Sequence, residues 1–307
     1  MKPSPLTYHR PATLEEACET LSGTGGKVLA GGQSLIPLLS MRLAAPADLI
    51  DINQLPGLDA IDVAADSVTF GALVRHTALL GDKRASDAAP LLGRALAHVA
   101  HPTIRNRGTT VGSIAHADPA SEMPAVLTLL GGEVHAVSTR GRRTIPVDDF
   151  FLGPLETALA EDELAVAVRV PRQSRGEGTA IDELARRHGD YAMAGVAARV
   201  RLSGSGSDAV IDDAAATYIS AGDMGRRYDF SDVLRGTAPD DPELNARLSR
   251  AGDSARDIVD TDADIHASAD YRSQLVAALT ARVLGAAVAD AAGMTVDTRD
   301  FHERSRS

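Results

Sequence analysis

Residues 27–43 set the tightest limit on the fold. A short strand is expected from Lys27 to Ala30; it runs into Gly31-Gly32-Gln33-Ser34 and then into an apolar stretch, Leu35 to Leu43. Strand, glycine turn and helix in immediate succession present backbone N–H groups to an anion. No GxGxxG follows this first strand, which argues against a Rossmann site. No GxxxxGK[ST] occurs either: Gly25-Gly26-Lys27 precedes the strand and has the wrong spacing.

The rest of the chain reads as an α+β protein. Thr13-Leu14-Glu15-Glu16 has the form of a capping box, with Gly23 expected to end the helix it opens. Strands are expected over Leu49–Ile52 and Ser67–Ala72, and an amphipathic helix over Pro90–Ala100. His101 to Pro124 is rich in Gly, Thr, Ser, Asp and Pro and reads as a long polar loop, a kind of segment that usually carries function. Helix Glu122–Leu130, strand Glu133–Ser138 and strand Glu163–Val170, closed by Pro171, follow. Arg172 to Gly178 has linker composition and marks the expected domain boundary. Beyond it come Ile181–Leu184, strands near Ala194–Leu202 and Val210–Ile219, and helices near Pro242–Ala255 and Asp270–Ala291. The expected organisation is a domain over 1–172 built of two small mixed subdomains, a sheet covered by helices over 178–291, and a polar tail over 292–307.

Charge and cysteine content remove several functions. The net charge of -11 argues against nucleic acid as a partner. No apolar run reaches the roughly 20 residues of a membrane span. Nothing apolar follows Met1-Lys2-Pro3-Ser4-Pro5, so no signal peptide is expected and the chain is placed in the cytoplasm. Cys18 is the only cysteine. One thiol makes no intrachain disulfide, structural zinc site or iron–sulfur cluster, so any such centre belongs to another chain. Cys18 shares an apolar helix face with Leu14 and Leu21 and reads as a buried structural thiol.

Two segments combine small residues with hydroxyls: Ala30-Gly31-Gly32-Gln33-Ser34 and Thr109-Thr110-Val111-Gly112-Ser113. A pyrophosphate needs close backbone approach, N–H donors and hydroxyls, and both segments offer all three. His98, His101, His116 and Asp118 form a competing set that suggests zinc or iron, though no HExxH register supports it. No Gly-x-Ser-x-Gly is present. Asp118 and Glu122 pass as an acid–base pair, or Glu122 simply favours the start of its helix.

In order and spacing, Leu29–Pro46 (LAGGQSLIPLLSMRLAAP), Ile104–Pro124 (IRNRGTTVGSIAHADPASEMP) and Leu184–Ala192 (LARRHGDYA) resemble the FAD-binding medium subunits of molybdenum hydroxylases. The likeness runs from about Tyr8 to Ala287. It implies a flavin domain of the vanillyl-alcohol-oxidase (PCMH) type followed by a C-terminal domain of the carbon monoxide dehydrogenase flavoprotein type. It implies FAD in contact with Ala30, Gly31, Gly32, Gln33, Ser34 and Leu35 on one side and with Thr109, Thr110, Val111, Gly112 and Ser113 on the other. Asp118 and Glu122 fall near the family's FAD ribose, His116 lines the cofactor, and Arg187 and Tyr191 join the set, Tyr191 lying against the isoalloxazine. Thr110 and Val111 depart from the family's isoleucine and glycine, and a valine is strained if that position needs positive φ. The resemblance also implies partners: a large molybdopterin subunit and a small iron–sulfur subunit, in a dimer of heterotrimers. Electrons would enter near Tyr191, Arg105 and Arg107. A stand-alone flavoprotein oxidase, with His116 or His188 as base, and a scaffold that has lost FAD are the alternatives.

Overall fold

The computed structural model describes residues 2–187 and 189–294. His188 and most of the polar tail therefore lie outside the described residues. The chain divides into two compact units. The first takes in residues 1–172 together with 185–192 and 223–226; the second takes in 173–184, 193–222 and the remainder.

The first unit opens with a parallel three-stranded sheet. β1 (Thr7–His9) and β2 (Lys27–Leu29) flank β3 (Asp48–Asp51). The crossovers are α1 (Leu14–Thr24) and α2 (Leu35–Met41), as parallel pairing requires. At the start of α1 the Thr13 hydroxyl accepts from the Glu16 N–H at 3.1 Å. The Glu16 carboxylate accepts from the Ala12 N–H at 2.7 Å. The helix passes through Gly23 and ends at Gly25, which holds φ +60° and donates to the Leu21 carbonyl. Gly23 was expected to end it; only Gly25 takes the left-handed conformation that closes the last turn. Cys18 is buried on α1 with Ala17 and Leu21, and burial raises its thiol pKa.

A five-stranded antiparallel sheet follows, ordered β4 (Ile61–Val63), β5 (Ser67–Gly71), β10 (Leu164–Pro171), β6 (Glu133–Ser138), β7 (Gly141–Pro146). Its centre buries Val68, Phe70, Val134 and Val168 completely. Between β5 and β6 run α3 (His76–Gly81), α4 (Lys83–Ala88), α5 (Pro90–His98), α6 (Pro102–Arg105), α7 (Thr110–His116) and α8 (Glu122–Leu130). The long polar loop expected over 101–124 is thus a correction: it contains two short helices and the start of a third. Small and hydroxylated residues hide a helix whose buried positions are Thr110, Val111 and Ile114. A two-stranded ribbon, β8 (Phe151–Gly153) with β9 (Glu156–Thr157), precedes β10.

The second unit is a sheet ordered β11 (Glu177–Ala185), β12 (Ala192–Ser203), β13 (Val210–Ile219), β14 (Tyr228–Asp229), with α9 (Ser231–Leu234), α10 (Leu244–Ile258) and α11 (Ala269–Ala291). Ala194, Val196, Ala198 and Val200 of β12 and Val276, Leu279, Val283, Leu284 and Ala287 of α11 share one buried cluster. Alanine here lets the elements approach closely, as does Gly178, where an added Cβ would meet the α11 backbone at Ala287 and Ala291. Arg272 is a buried cation that donates to the carbonyls of Met193 (2.7 Å) and Asp262 and pairs with Asp264 (2.8 Å). By length and composition alone α11 could cross a bilayer, with a mean hydropathy of 1.3 over its most apolar window. Its apolar residues are instead those that form the core of this unit.

Candidate functional site

The two segments singled out in the sequence meet in the first unit. Gly31 lies flat against the strand-like stretch that leads into α7. A Cβ added there would stand 2.5 Å from the Arg107 carbonyl oxygen, 2.7 Å from Gly108 Cα and 2.9 Å from the Thr109 nitrogen. All three are backbone atoms, so nothing can swing aside. Gly32 holds φ +70°, a conformation that side chains rarely adopt, and so turns the chain from β2 into α2. Gln33 Nε2 donates to the Gly31 carbonyl at 3.0 Å, and the Ile36 N–H to the Gly32 carbonyl at 3.0 Å. Ser34 caps α2 by position, yet its hydroxyl makes no capping bond. In the first turn of α2, Pro37 has no N–H and the Ile36 and Leu38 N–H groups bond to the Gly32 and Ser34 carbonyls, which leaves the Leu35 N–H as the donor of that turn outside these bonds.

The second segment is the start of α7 rather than a free loop. The Thr109 hydroxyl accepts from the Gly112 N–H at 3.1 Å and caps the helix. Thr110 donates its N–H to the Val74 carbonyl, and its hydroxyl meets His76 Nδ1 at 3.1 Å. Val111 is the second helical residue, 2% exposed and absent from the positive-φ positions. The strain expected at Val111 is therefore not present. Helical φ suits valine, and its side chain fills the core. Thr109, Thr110 and Val111 are buried, so their side chains build the segment; Gly112 and Ser113 are the members that keep exposed surface.

His116 ends α7, and Ala117 reverses the chain at φ +53°. The Asp118 carboxylate accepts from the Ala120 N–H at 2.9 Å and shapes the turn into α8. Glu122, the first residue of α8, has its pKa pushed up to about 7. Burial is the main cause and the Asp118 charge adds to it. Although solvent touches part of Glu122, the surrounding protein desolvates its carboxyl. Tyr191 is 57% exposed, and its hydroxyl pKa is raised by burial of the phenol end and by the charges of Asp118 and Glu122. These three residues therefore share one neighbourhood. Arg187 is exposed on the same returning segment, in a turn where the Asp190 N–H donates to the Arg187 carbonyl. Gly189, at φ +86°, sits against the His101 ring. The Arg105 guanidinium donates to the Val99 and Ala100 carbonyls at 2.7 and 2.9 Å, so it is tied to the backbone rather than freely solvated. Among the described residues no group of three or more His, Cys, Asp and Glu is gathered to hold a metal, so His98, His101, His116 and Asp118 do not converge.

Four residues of this region had no signal in the sequence. Asp51, Asn53 and Arg75 form a polar chain beside the two segments, and His76 is buried under the second. His76 is 4% exposed, and burial followed by the Arg105 charge lowers its pKa to about 4, so the ring is neutral. Gly108 packs on that ring.

Residues 4–173 match the family model described as the FAD binding domain in molybdopterin dehydrogenase. The chain belongs to this family. Residues 179–287 match the CO dehydrogenase flavoprotein C-terminal domain. The chain is 42% identical to the nicotine 6-hydroxylase medium subunit of Paenarthrobacter nicotinovorans, over 92% of this chain and 98% of that protein. It is 35% identical to the carbon monoxide dehydrogenase medium chain of Hydrogenophaga pseudoflava, over 94% of this chain and 98% of that protein. Among solved structures, quinoline 2-oxidoreductase from Pseudomonas putida 86 gives a TM-score of 0.86 at 34% identity, covering 95% of this chain and all of that one. As a member of this FAD-binding family, the chain is an oxidoreductase flavoprotein of mixed α and β structure, with FAD as its cofactor. The residues present fit such a cofactor: a positive-φ glycine turn followed by Ser34, whose hydroxyl makes no capping bond, packs through Gly31 onto the backbone of residues 107–109 that leads into Gly112 and Ser113.

Proposed function

We propose that this chain is the electron-transfer subunit of a cytoplasmic molybdenum-containing hydroxylase. It would take electrons from iron–sulfur clusters of a small subunit, themselves fed by a large molybdopterin subunit, and pass them to an external acceptor. The assembly is a dimer of heterotrimers. The observation that carries this reading is the packing of Gly31 onto Arg107–Thr109, which sets two hydroxyl-bearing turns side by side. The names of the relatives support the partners: they are medium subunits or chains of hydroxylases and dehydrogenases.

In this reading Ala30–Leu35 and Gly112–Ser113 hold the FAD pyrophosphate through backbone N–H groups and the Ser34 and Ser113 hydroxyls. Thr109, Thr110 and Val111 shape the second of these turns. His116, Asp118 and Glu122 face the ribose and ribityl portion; Glu122, with a pKa of about 7, can hold or release a proton there at neutral pH. Tyr191 and Arg187 lie at the isoalloxazine end, and Arg107 is the exposed cation of the docking face. FAD, when bound, supplies the electron-carrying chemistry; this chain orients it and tunes its surroundings.

The test is to purify the chain alone and with its partner subunits. Heat should release about one non-covalently bound FAD per chain. A dye donor should reduce the flavin of the isolated chain, whereas hydroxylase substrate should reduce it only in the complex. A colourless protein that ignores added FAD refutes the reading. Substrate bleaching of the isolated flavin would instead establish a stand-alone oxidase.

A further inference from the structure

We infer that Asn53 and Arg75 form a polar strut that sets the gap between the Ala30–Ser34 turn and the start of α7, and so position both turns for the FAD pyrophosphate. The inference rests on the cofactor assignment above.

The strut joins segments far apart in sequence. Asn53 follows β3. Its Nδ2 donates to the Ala30 carbonyl at 2.8 Å and to Asp51 Oδ1 at 2.6 Å. Its Oδ1 accepts from Arg75 Nη2 at 2.6 Å. Arg75 Nη1 in turn donates to the Arg107 carbonyl, the same oxygen that lies against Gly31. One side chain thus ties the first turn to the guanidinium, and the guanidinium ties it to the backbone before α7.

The backbone of Arg75 adds a second tie. Arg75 bridges Thr109, the His76 N–H donates to the Gly108 carbonyl at 3.0 Å, and the Thr110 N–H to the Val74 carbonyl at 3.2 Å. Asp51 anchors the other end: it accepts from the Tyr8 hydroxyl and from both the backbone and side chain of Asn53. The Asp51 carboxylate also offsets the repulsion between Arg75 and Arg107.

A bidentate guanidinium holds two acceptors in a fixed plane, which suits a spacer better than a flexible ammonium. The pyrophosphate must bond to both turns at once, so its binding depends on their separation. Neither Asn53 nor Arg75 need touch it.

The experiment uses the full-length apoprotein. FAD and riboflavin are titrated separately against wild type, Asn53→Ala, Arg75→Ala, the double variant and Gly32→Val, following flavin fluorescence. Thermal unfolding of each apoprotein is recorded by circular dichroism. Each strut variant should weaken FAD binding by about tenfold or more, change riboflavin binding less than about twofold, and unfold in a single cooperative transition that lies above the titration temperature, with a midpoint lowered by the lost hydrogen bonds. The double variant should lose no more than the weaker-binding single variant, because the two residues act in series. Additive losses, an equal loss of riboflavin, or unchanged FAD binding would each overturn the strut. If Gly32→Val loses FAD while the strut variants keep it, the cofactor assignment stands and the strut is wrong. If Gly32→Val also keeps FAD, the assignment itself is wrong. Should Arg75→Ala fail to fold, Arg75→Lys and Asn53→Ser carry the same comparison.

Discussion

Gly31→Ala tests how the two turns are held together. The new methyl would stand 2.5, 2.7 and 2.9 Å from three backbone atoms of residues 107–109. Ordinary contacts at carbon are about 3.5–4.0 Å, so the segments must separate by roughly 1 Å. Overpacking of this kind costs about 1–3 kcal/mol. In a domain of this size that is a fall in Tm of roughly 2–12 °C. The same displacement pulls one turn away from the pyrophosphate. Hydrogen bonds to charged groups contribute about 1.5–3 kcal/mol each, so FAD affinity should fall about ten- to hundredfold. Gly23→Ala is the matched control. Gly23 lies within α1, an added Cβ there meets nothing within 4 Å, and its φ is not positive. That variant should gain about 0.5–1 kcal/mol and bind FAD as wild type does. Apoprotein melting and FAD titration on both variants check the argument. If Gly31→Ala melts with wild type and keeps FAD within about twofold, the backbone contact does not govern the site.

Three further outcomes follow from the geometry. Val111→Gly should lose about 2–4 kcal/mol in urea denaturation, because it empties a buried helical position and places glycine in a helix. Arg272→Leu should destabilise the second unit by about 2–5 kcal/mol, since it leaves the Met193 and Asp262 carbonyls and Asp264 without their cation; a variant as stable as wild type would show the buried charge to be replaceable. The pH dependence of apoprotein stability should carry two opposed contributions. His76, lowered from 6.5 to about 4, contributes stability that is present above pH 6.5 and lost as pH falls towards 4. Glu122, raised from 4.5 to about 7, contributes stability that is present below pH 4.5 and lost as pH rises through 7. Each contribution is on the order of 3 kcal/mol. Relative to wild type, His76→Gln should therefore lose ground with rising pH between 4 and 6.5. Glu122→Gln should gain ground between 4.5 and 7. Parallel profiles for the wild type and both variants would remove the burial argument.

The elements that carry local signals were legible. Strand β6, helix α8 and strand β13 run over the residues that hydrophobic pattern and breakers mark, because each buries a cluster of apolar residues close together in sequence: Val134, Ala136 and Val137 in β6, Met123 to Leu130 in α8, and Ala214 to Ile219 in β13. The capping box at Thr13 announced α1, although the true end lay two residues beyond the first glycine. Helix α7 was missed because its helix-forming signal is weak. Thr110, Val111, Gly112 and Ser113 have low intrinsic helix propensity, and the helix exists because Val111 and Ile114 are buried and Thr109 caps it. The same burial explains valine where a glycine was expected. The family motif was read as a shared backbone geometry, but here the chain has taken ordinary helical φ.

The glycines of the first turn show why a motif can be recognised for a reason other than the one that first suggests itself. Gly31 and Gly32 read as residues that let a backbone approach a phosphate. The space beside Gly31 is filled by the chain itself, at Arg107, Gly108 and Thr109. The space beside Gly32 is bounded by Ile36 and Leu29, and its φ is positive. The fold therefore requires both glycines before any ligand arrives. What the ligand gains is indirect: the contact that demands Gly31 is also what holds the Ala30–Ser34 turn against the backbone that leads into α7. Asn53 and Arg75 follow the same logic at longer range. The partners that tie the segments together lie 22 to 32 residues away in sequence, so no local pattern announces them. A site built this way is written partly in the residues that face the cofactor and partly in the residues that fix the distance between them. Only the first set has a motif.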